Sequence, residues 1–154
     1  MRITHFSSPL GTLEIREEQD FIVRVNFIDT EPSISDSHCV LQNCITQLKE
    51  YFVGKRKSFK LPLAPQGTPF QQQVWEELQH VQFGKTSSYI DLAKKLGDSN
   101  LTRAVGSANG KNPIAIIIPC HRIVGSDGSL TGYAGGLKRK KWLLEHESAQ
   151  ASLF

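Results

Sequence analysis

Cys120 and His121 are the neighbours in this 154-residue chain best suited to nucleophilic chemistry. A thiol is only a few per cent ionised at neutral pH, so a reacting cysteine needs an adjacent base or positive charge, which His121 or Arg122 can supply. The pair follows the aliphatic run Ile114-Ala115-Ile116-Ile117-Ile118 and Pro119, and precedes a glycine-rich loop over 125–136. Such a run reads as a buried strand or extended segment, in which successive side chains point to opposite faces. Direct contact between Cys120 and His121 then requires a bend, a bridging water or both. Metal chemistry is not expected. Cys39 and Cys44 are five apart on one helix, and His5 and His38 have no evident convergent partners.

The elements that must hold these groups follow from periodicity. Residues 2–6, 12–16 and 21–27 read as three strands of an antiparallel meander, the third with Phe21, Val23, Val25 and Phe27 on one face. Apolar positions from Val40 to Phe52 recur at helical spacing, with Asp36 or Ser37 as N-cap and Gly54 as the stop. Leu61-Pro62-Leu63-Ala64-Pro65-Gln66-Gly67 interrupts the pattern as a linker does, which divides the chain into an N-terminal α/β domain, 1–66, and a mainly α domain, 67–154. Thr68-Pro69-Phe70-Gln71 is a capping-box signature for a helix buried through Phe70, Val74 and Leu78. Ser88 caps a short helix to Gly97 and Asn100 a second to Gly110, which together have the dimensions of a DNA-binding helix-turn-helix. A final helix runs through Leu137, Trp142, Leu143 and Leu144, with Lys138-Arg139-Lys140-Lys141 as the solvated face of its first turn.

Composition narrows the classes. Hydrophobic residues make up 39% and charged residues 21%, which describes an ordinary globular chain rather than a disordered or fibrous one. The longest aliphatic run is five residues, so no membrane span is expected. The first residues carry no apolar leader, which assigns the three cysteines to a reducing compartment: cytoplasm, or nucleus in a eukaryote. Up to Gln66 four Lys and four Arg balance eight acids; the whole net charge of +3 lies beyond it. That excess is compatible with an anionic partner.

Ile118-Pro119-Cys120-His121-Arg122-Ile123-Val124 resembles the signature of the O6-alkylguanine-DNA alkyltransferases, or methylated-DNA-protein-cysteine methyltransferases. Further stretches agree in order: Phe70-Gln71-Gln72-Gln73-Val74-Trp75, Ser88-Tyr89, Arg103-Ala104-Val105-Gly106, Asn112-Pro113, Tyr133-Ala134-Gly135-Gly136-Leu137 and Trp142-Leu143-Leu144-Glu145-His146-Glu147. The likeness spans about residues 68–147, and the first sixty-odd resemble the family's smaller domain in outline only. It implies a winged-helix-like alkyltransferase domain and direct-reversal repair: O6-alkylguanine is flipped out of duplex DNA and its alkyl group passes once, irreversibly, to Cys120. O4-alkylthymine is left open as a second substrate.

By the same resemblance, His121 acts on Cys120 through a water, Glu147, selected over the competing Glu145 by the Leu-Leu-x-x-Glu pattern, orients and charges His121, Tyr89 protonates the leaving guanine at N3, and Asn112 links recognition helix to active site. Arg103 fills the gap in the base stack. Ala104, Gly106 and Ser107, counted with Arg122, face the DNA, which is entered from the minor groove with little sequence readout. Tyr133, Ala134, Gly135 and Gly136 form the base pocket, the glycines donating backbone hydrogen bonds. Ala134 stands where some relatives carry serine. No soluble cofactor is implied, and the protein acts as a monomer, with cooperativity along DNA left open. Some relatives hold a structural zinc, for which no cysteine cluster is evident here. A non-catalytic damage sensor, a cysteine hydrolase and a winged-helix regulator are the rival readings; the sensors of this kind lack the reactive cysteine.

Overall fold

The computed structural model describes residues 1–30 and 36–151, the side chain of Ala151 excepted; the last three residues of the expected second domain lie outside them. The chain divides into two compact units, Met1–Gln66 with Pro113–Ile117, and Gly67–Asn112 with Ile118–Phe154.

In the first unit β1 (Arg2–Ser8), β2 (Gly11–Glu18) and β3 (Phe21–Ile28) form an antiparallel sheet in the order β1-β2-β3. The alternation expected of β3 does not hold along its length. Arg16 opposes Arg24 while Glu17 opposes Ile22, so Val23 is an extra residue, a bulge, and Ile22 and Val25 are the two fully buried side chains while Phe21 is exposed. α1 (Cys39–Phe52) covers the sheet with Leu41, Cys44, Leu48, Tyr51 and Phe52. Its N-cap is His38, without a side-chain cap bond, rather than Asp36 or Ser37. Asp36 instead clamps the edge of β1, its Oδ2 accepting from Ile3 N–H at 2.9 Å and its own N–H donating to Ile3 O at 2.9 Å. Gly54 follows the helix at φ 81°, a left-handed position suited to glycine.

The run at 114–118 is not a strand. Val25 N–H donates to Pro113 O and Ala115 N–H to Val25 O, after which Ile116 turns at φ 71° and Ile117 N–H closes onto Ala115 O at 2.8 Å. Such a γ-turn at a β-branched residue is rare and costs about 1–3 kcal/mol, held here by complete burial of the side chain.

The second unit is built on α2 (Pro69–Leu78), α3 (Tyr89–Lys95), α4 (Thr102–Gly110) and α5 (Leu137–Ala151), with the two-residue parallel strands β4 (Ser87–Ser88) and β5 (Ile123–Val124). Thr68 and Gln71 form the full capping box of α2. Trp75 Nε1–H donates to Ala108 O at 2.9 Å, tying α2 to α4. Ser88 caps α3 through Asp91 N–H. Asn100 caps nothing: Asp98 accepts its N–H, a 3₁₀ turn (Ser99–Leu101) intervenes, and α4 begins at Thr102 without a side-chain cap. α3 and α4 pack on each other as a helix pair joined by that turn.

Candidate active site

Cys120 opens a 3₁₀ turn, Cys120–Arg122, rather than continuing an extended chain. Pro119, at φ −82° and ψ 63°, bends the backbone so that Cys120 N–H donates to Ile118 O at 2.8 Å. The same carbonyl accepts Asn112 Nδ2–H at 2.7 Å, while Asn109 Nδ2–H reaches Cys120 O at 3.4 Å. Both asparagines, at the end of α4 and just beyond it, thus hold the backbone that carries the thiol. Cys120 is 5% exposed. Burial pushes its thiol up, against a hydrogen bond from Asn112 and the Lys140 charge, which pull it down.

His121 and Arg122 converge on one carboxylate. His121 Nε2–H donates to Glu147 Oε2 at 2.7 Å; Arg122 donates from Nε to Oε1 at 2.8 Å and from Nη2 to Oε2 at 3.1 Å. Arg122 Nη1–H also donates to Val81 O at 2.6 Å, and its guanidinium lies 5.8 Å from the Phe83 ring centre. All three side chains are buried. Burial works against the Glu147 carboxylate, but the hydrogen bonds and charges of His121 and Arg122 outweigh it and hold the group at about 2. Burial holds His121 below its ordinary value, with Glu147 opposing and Arg122 and Lys140 assisting. His121 Nδ1 is buried and unpartnered. Glu147 thus favours the charged imidazole, while burial first, and then the Arg122 and Lys140 charges, disfavour it. Glu145, the competing residue, is exposed and lies 3.8 Å from Lys141.

Two further expectations change. Arg122 is not a DNA-facing residue; burial and three hydrogen bonds leave it no reach to a phosphate. Lys140 is not solvated; it is fully buried, donating from Nζ to Thr131 O at 2.8 Å, with its charge acting on Cys120. A signal for Lys140 was present, since Lys140, Leu143 and Glu147 are spaced i, i+3, i+7 and share one face of α5.

Thr131 O also accepts Tyr89 Oη–H at 3.0 Å, so the hydroxyl at the head of α3 and the Lys140 ammonium meet on one carbonyl. Tyr133 Oη is buried without a partner, and burial raises that phenol well above its usual range. Ala134 is exposed. Gly136, at φ 93°, closes a turn with its N–H on Tyr133 O, which removes it as a donor to a base, while Gly135 O accepts from Arg139. On α4, Arg103, Ala104 and Ser107 are exposed together, and Gly106 lies over Tyr89, where an added Cβ would stand 3.7 Å from the ring.

In the first unit His38 does have partners, contrary to expectation. Its Nε2 is 2.8 Å from Asp20 Oδ1, and ligand atoms of Glu17, Asp20 and His38 lie within 4.8 Å of one another. Glu17 is already engaged, by Arg2 at 3.5 Å and by Asp20 N–H at 2.6 Å. His5 lies 3.4 Å from Glu14. Among the described residues no helix is long and apolar enough to cross a membrane.

A three-stranded antiparallel sheet with a covering helix, and a helical unit that buries Cys120 next in sequence to a His121–Glu147 pair, make up a protein of two parts. Residues 69–149 match the DNA binding domain of 6-O-methylguanine DNA methyltransferase, and residues 1–65 the ribonuclease-like domain of the same family. The chain belongs to the 6-O-methylguanine DNA methyltransferase family. It is 41% identical over 150 residues to the methylated-DNA–protein-cysteine methyltransferase of Methanosarcina acetivorans, covering 94% of this chain and 96% of that protein. The constitutive enzyme of that name from Bacillus subtilis is 42% identical over 141 residues, 86% of each chain. Among solved structures, Mycobacterium tuberculosis OGT in complex with DNA superposes with a TM-score of 0.89 at 38% identity, over 97% of this chain and 94% of that one.

Proposed function

We propose that this protein repairs DNA by direct reversal, moving the alkyl group of O6-alkylguanine to Cys120 in a single turnover. The observation that carries the reading is the buried Cys120 beside the His121–Glu147 pair within a domain of this family. Cys120 rests as a thiol. His121, with Nε2–H committed to Glu147, offers Nδ1 as the acceptor for the Cys120 proton through a water. The sulfur then attacks the alkyl carbon, the S–C bond forms as the C–O6 bond breaks, and Tyr89 exchanges its bond to Thr131 O for donation to N3 of the leaving guanine. The product is a thioether, which water does not reverse, so each molecule reacts once and the balance calls for no cofactor.

A base within a duplex is out of reach of a thiol that is 5% exposed, so the nucleotide must be extruded. The exposed face of α4 supports a role for Arg103 in filling the stack, with Ala104, Gly106 and Ser107 admitting the DNA backbone from the minor groove. Tyr133, Ala134 and Gly135 would line the pocket. We place the repair chemistry in residues 67–154, with 1–66 as a separate α/β domain, in a protein that acts as a monomer in the cytoplasm.

The test is mass spectrometry of the protein after mixing with a duplex carrying one O6-methylguanine, beside an unmodified duplex. One methyl replacing one hydrogen, located on Cys120 and capped at one per protein, is the expected result. Preferential binding of the lesion without a mass gain would replace the reading with a damage sensor.

A further inference from the structure

Arg122 has no role in the reading above, yet it is among the most heavily bonded side chains of the second unit. It spans both oxygens of Glu147, donates to Val81 O and lies beside Phe83, all with 6% of its surface exposed. A bidentate guanidinium has a fixed fork, so it determines the plane and position of the carboxylate it holds. Glu147 Oε2 is shared: it accepts from Arg122 Nη2 at 3.1 Å and from His121 Nε2 at 2.7 Å. Arg122 places a permanent positive charge on the same carboxylate, and its repulsion of an imidazolium offsets part of the attraction that Glu147 exerts.

The protonation of His121 follows from this arrangement. Nε2, against a carboxylate oxygen, must carry hydrogen. A proton on Nδ1 as well would place a cation in a ring that is fully buried, an expense that neutral imidazole avoids. The charged groups facing the ring agree: Glu147 and Lys140 from α5, and Arg122 from its own turn, two cations against one anion, with Cys120 preceding it. We propose that Arg122 is a positioning residue for the transfer reaction, which by fixing and neutralising Glu147 keeps His121 a neutral base with Nδ1 free to take the Cys120 proton. Without it, Glu147 would turn its whole charge on His121, and the base would be protonated before the substrate arrived. The inference rests on the assignment of His121 as base to Cys120.

The test uses the full chain with ¹⁵N-labelled histidine, titrated by NMR, together with the pH dependence of methyl transfer from an O6-methylguanine duplex. At pH 7 the parent His121 should show one protonated and one bare ring nitrogen; two protonated nitrogens would overturn the inference without any variant. Arg122→Met removes the charge while retaining length, and the acid limb of its rate profile should move up by about one pH unit or more. A folded variant with the parent's profile would overturn it. If Arg122→Met does not fold, Arg122→Lys keeps a charge without the fork. That variant should retain the bare nitrogen at pH 7 and lose about tenfold in rate; a rate equal to the parent's would count against positioning. Failure of the parent to accept methyl at any pH would strike the reading of Cys120 instead, and the NMR result separates the two.

Discussion

Acid should reach Glu147 late, and its titration tests whether the ion network of the second unit is formed as described. The carboxyl stands at about 2 in the folded chain against an ordinary 4.5. A depressed carboxylate contributes stability that is present above the unfolded value and disappears as the pH falls through the folded one. A difference of about 2.5 units at 1.36 kcal/mol each gives about 3 kcal/mol in all, of which about 2 kcal/mol is gone by pH 3. His121 acts in the same direction at higher pH. Its lowered value means that the unfolded chain takes up the proton first, so stability declines from about pH 6.5 downward. The assay is the ¹³C shift of the Glu147 carboxyl against pH, assigned by its loss in Glu147→Gln, with urea unfolding at each pH followed by tryptophan fluorescence. Both tryptophans, Trp75 and Trp142, lie in the second unit and report on it. A Glu147 midpoint near 4.5 would refute the reasoning. At pH 7 Glu147→Gln should itself cost about 3–5 kcal/mol, because it leaves the buried Arg122 without its counter-charge.

Tyr89→Phe keeps the ring over Gly106 but removes the hydroxyl proposed as proton donor, and should slow methyl transfer about a hundredfold with affinity for undamaged duplex retained; an unchanged single-turnover rate would remove Tyr89 from the chemistry. Lys140→Met takes a positive charge away from Cys120, so the thiol should titrate about one unit higher in its reaction with iodoacetamide. No movement of that midpoint would confine Lys140 to holding Thr131. Arg103→Ala should lower the repair rate at subsaturating protein much more than it weakens nonspecific binding, and equal repair rates would argue against insertion into the stack. Gly67→Ala places a Cβ 2.4 Å from Trp75 and 2.7 Å from Gln71 Oε1, so a urea melt should show a loss of about 1–3 kcal/mol.

Local rules read the meander, α1 and α2 because each depends on neighbours along the chain: the alternation of Leu13 and Ile15, the capping box of Thr68 and Gln71, the stop at Gly54. They misread the places where a distant partner decides. The bulge at Val23 depends on how β2 registers against β3, and the apolar run at 114–118 turns because β3 accepts only one step of it, Pro113 to Ala115, before Ile116 reverses. Asp36, a good N-cap by type, has a better use in closing both backbone groups of Ile3. The family likeness named Cys120, His121 and Glu147, but it carried no information on charge balance. Lys140 lay in a run of four cations that invites a solvated reading, although its spacing to Leu143 and Glu147 turned it inward.

The relation between His121 and Arg122 shows why backbone geometry, more than residue type, decides what this site can do. In a strand the two side chains would leave on opposite faces, and one carboxylate could not serve both. A 3₁₀ turn instead rotates successive side chains by about 120°. From Cys120–Arg122 this sends both the imidazole and the guanidinium toward α5, where Glu147 receives them on one oxygen pair. Pro119 starts the bend, and Asn112 and Asn109 secure the carbonyls on either side of it. On the proposed reading, the turn is what lets three adjacent residues serve as nucleophile, base and the counter-charge that keeps the base neutral. A substitution that straightened it would separate these roles without altering any of the three side chains.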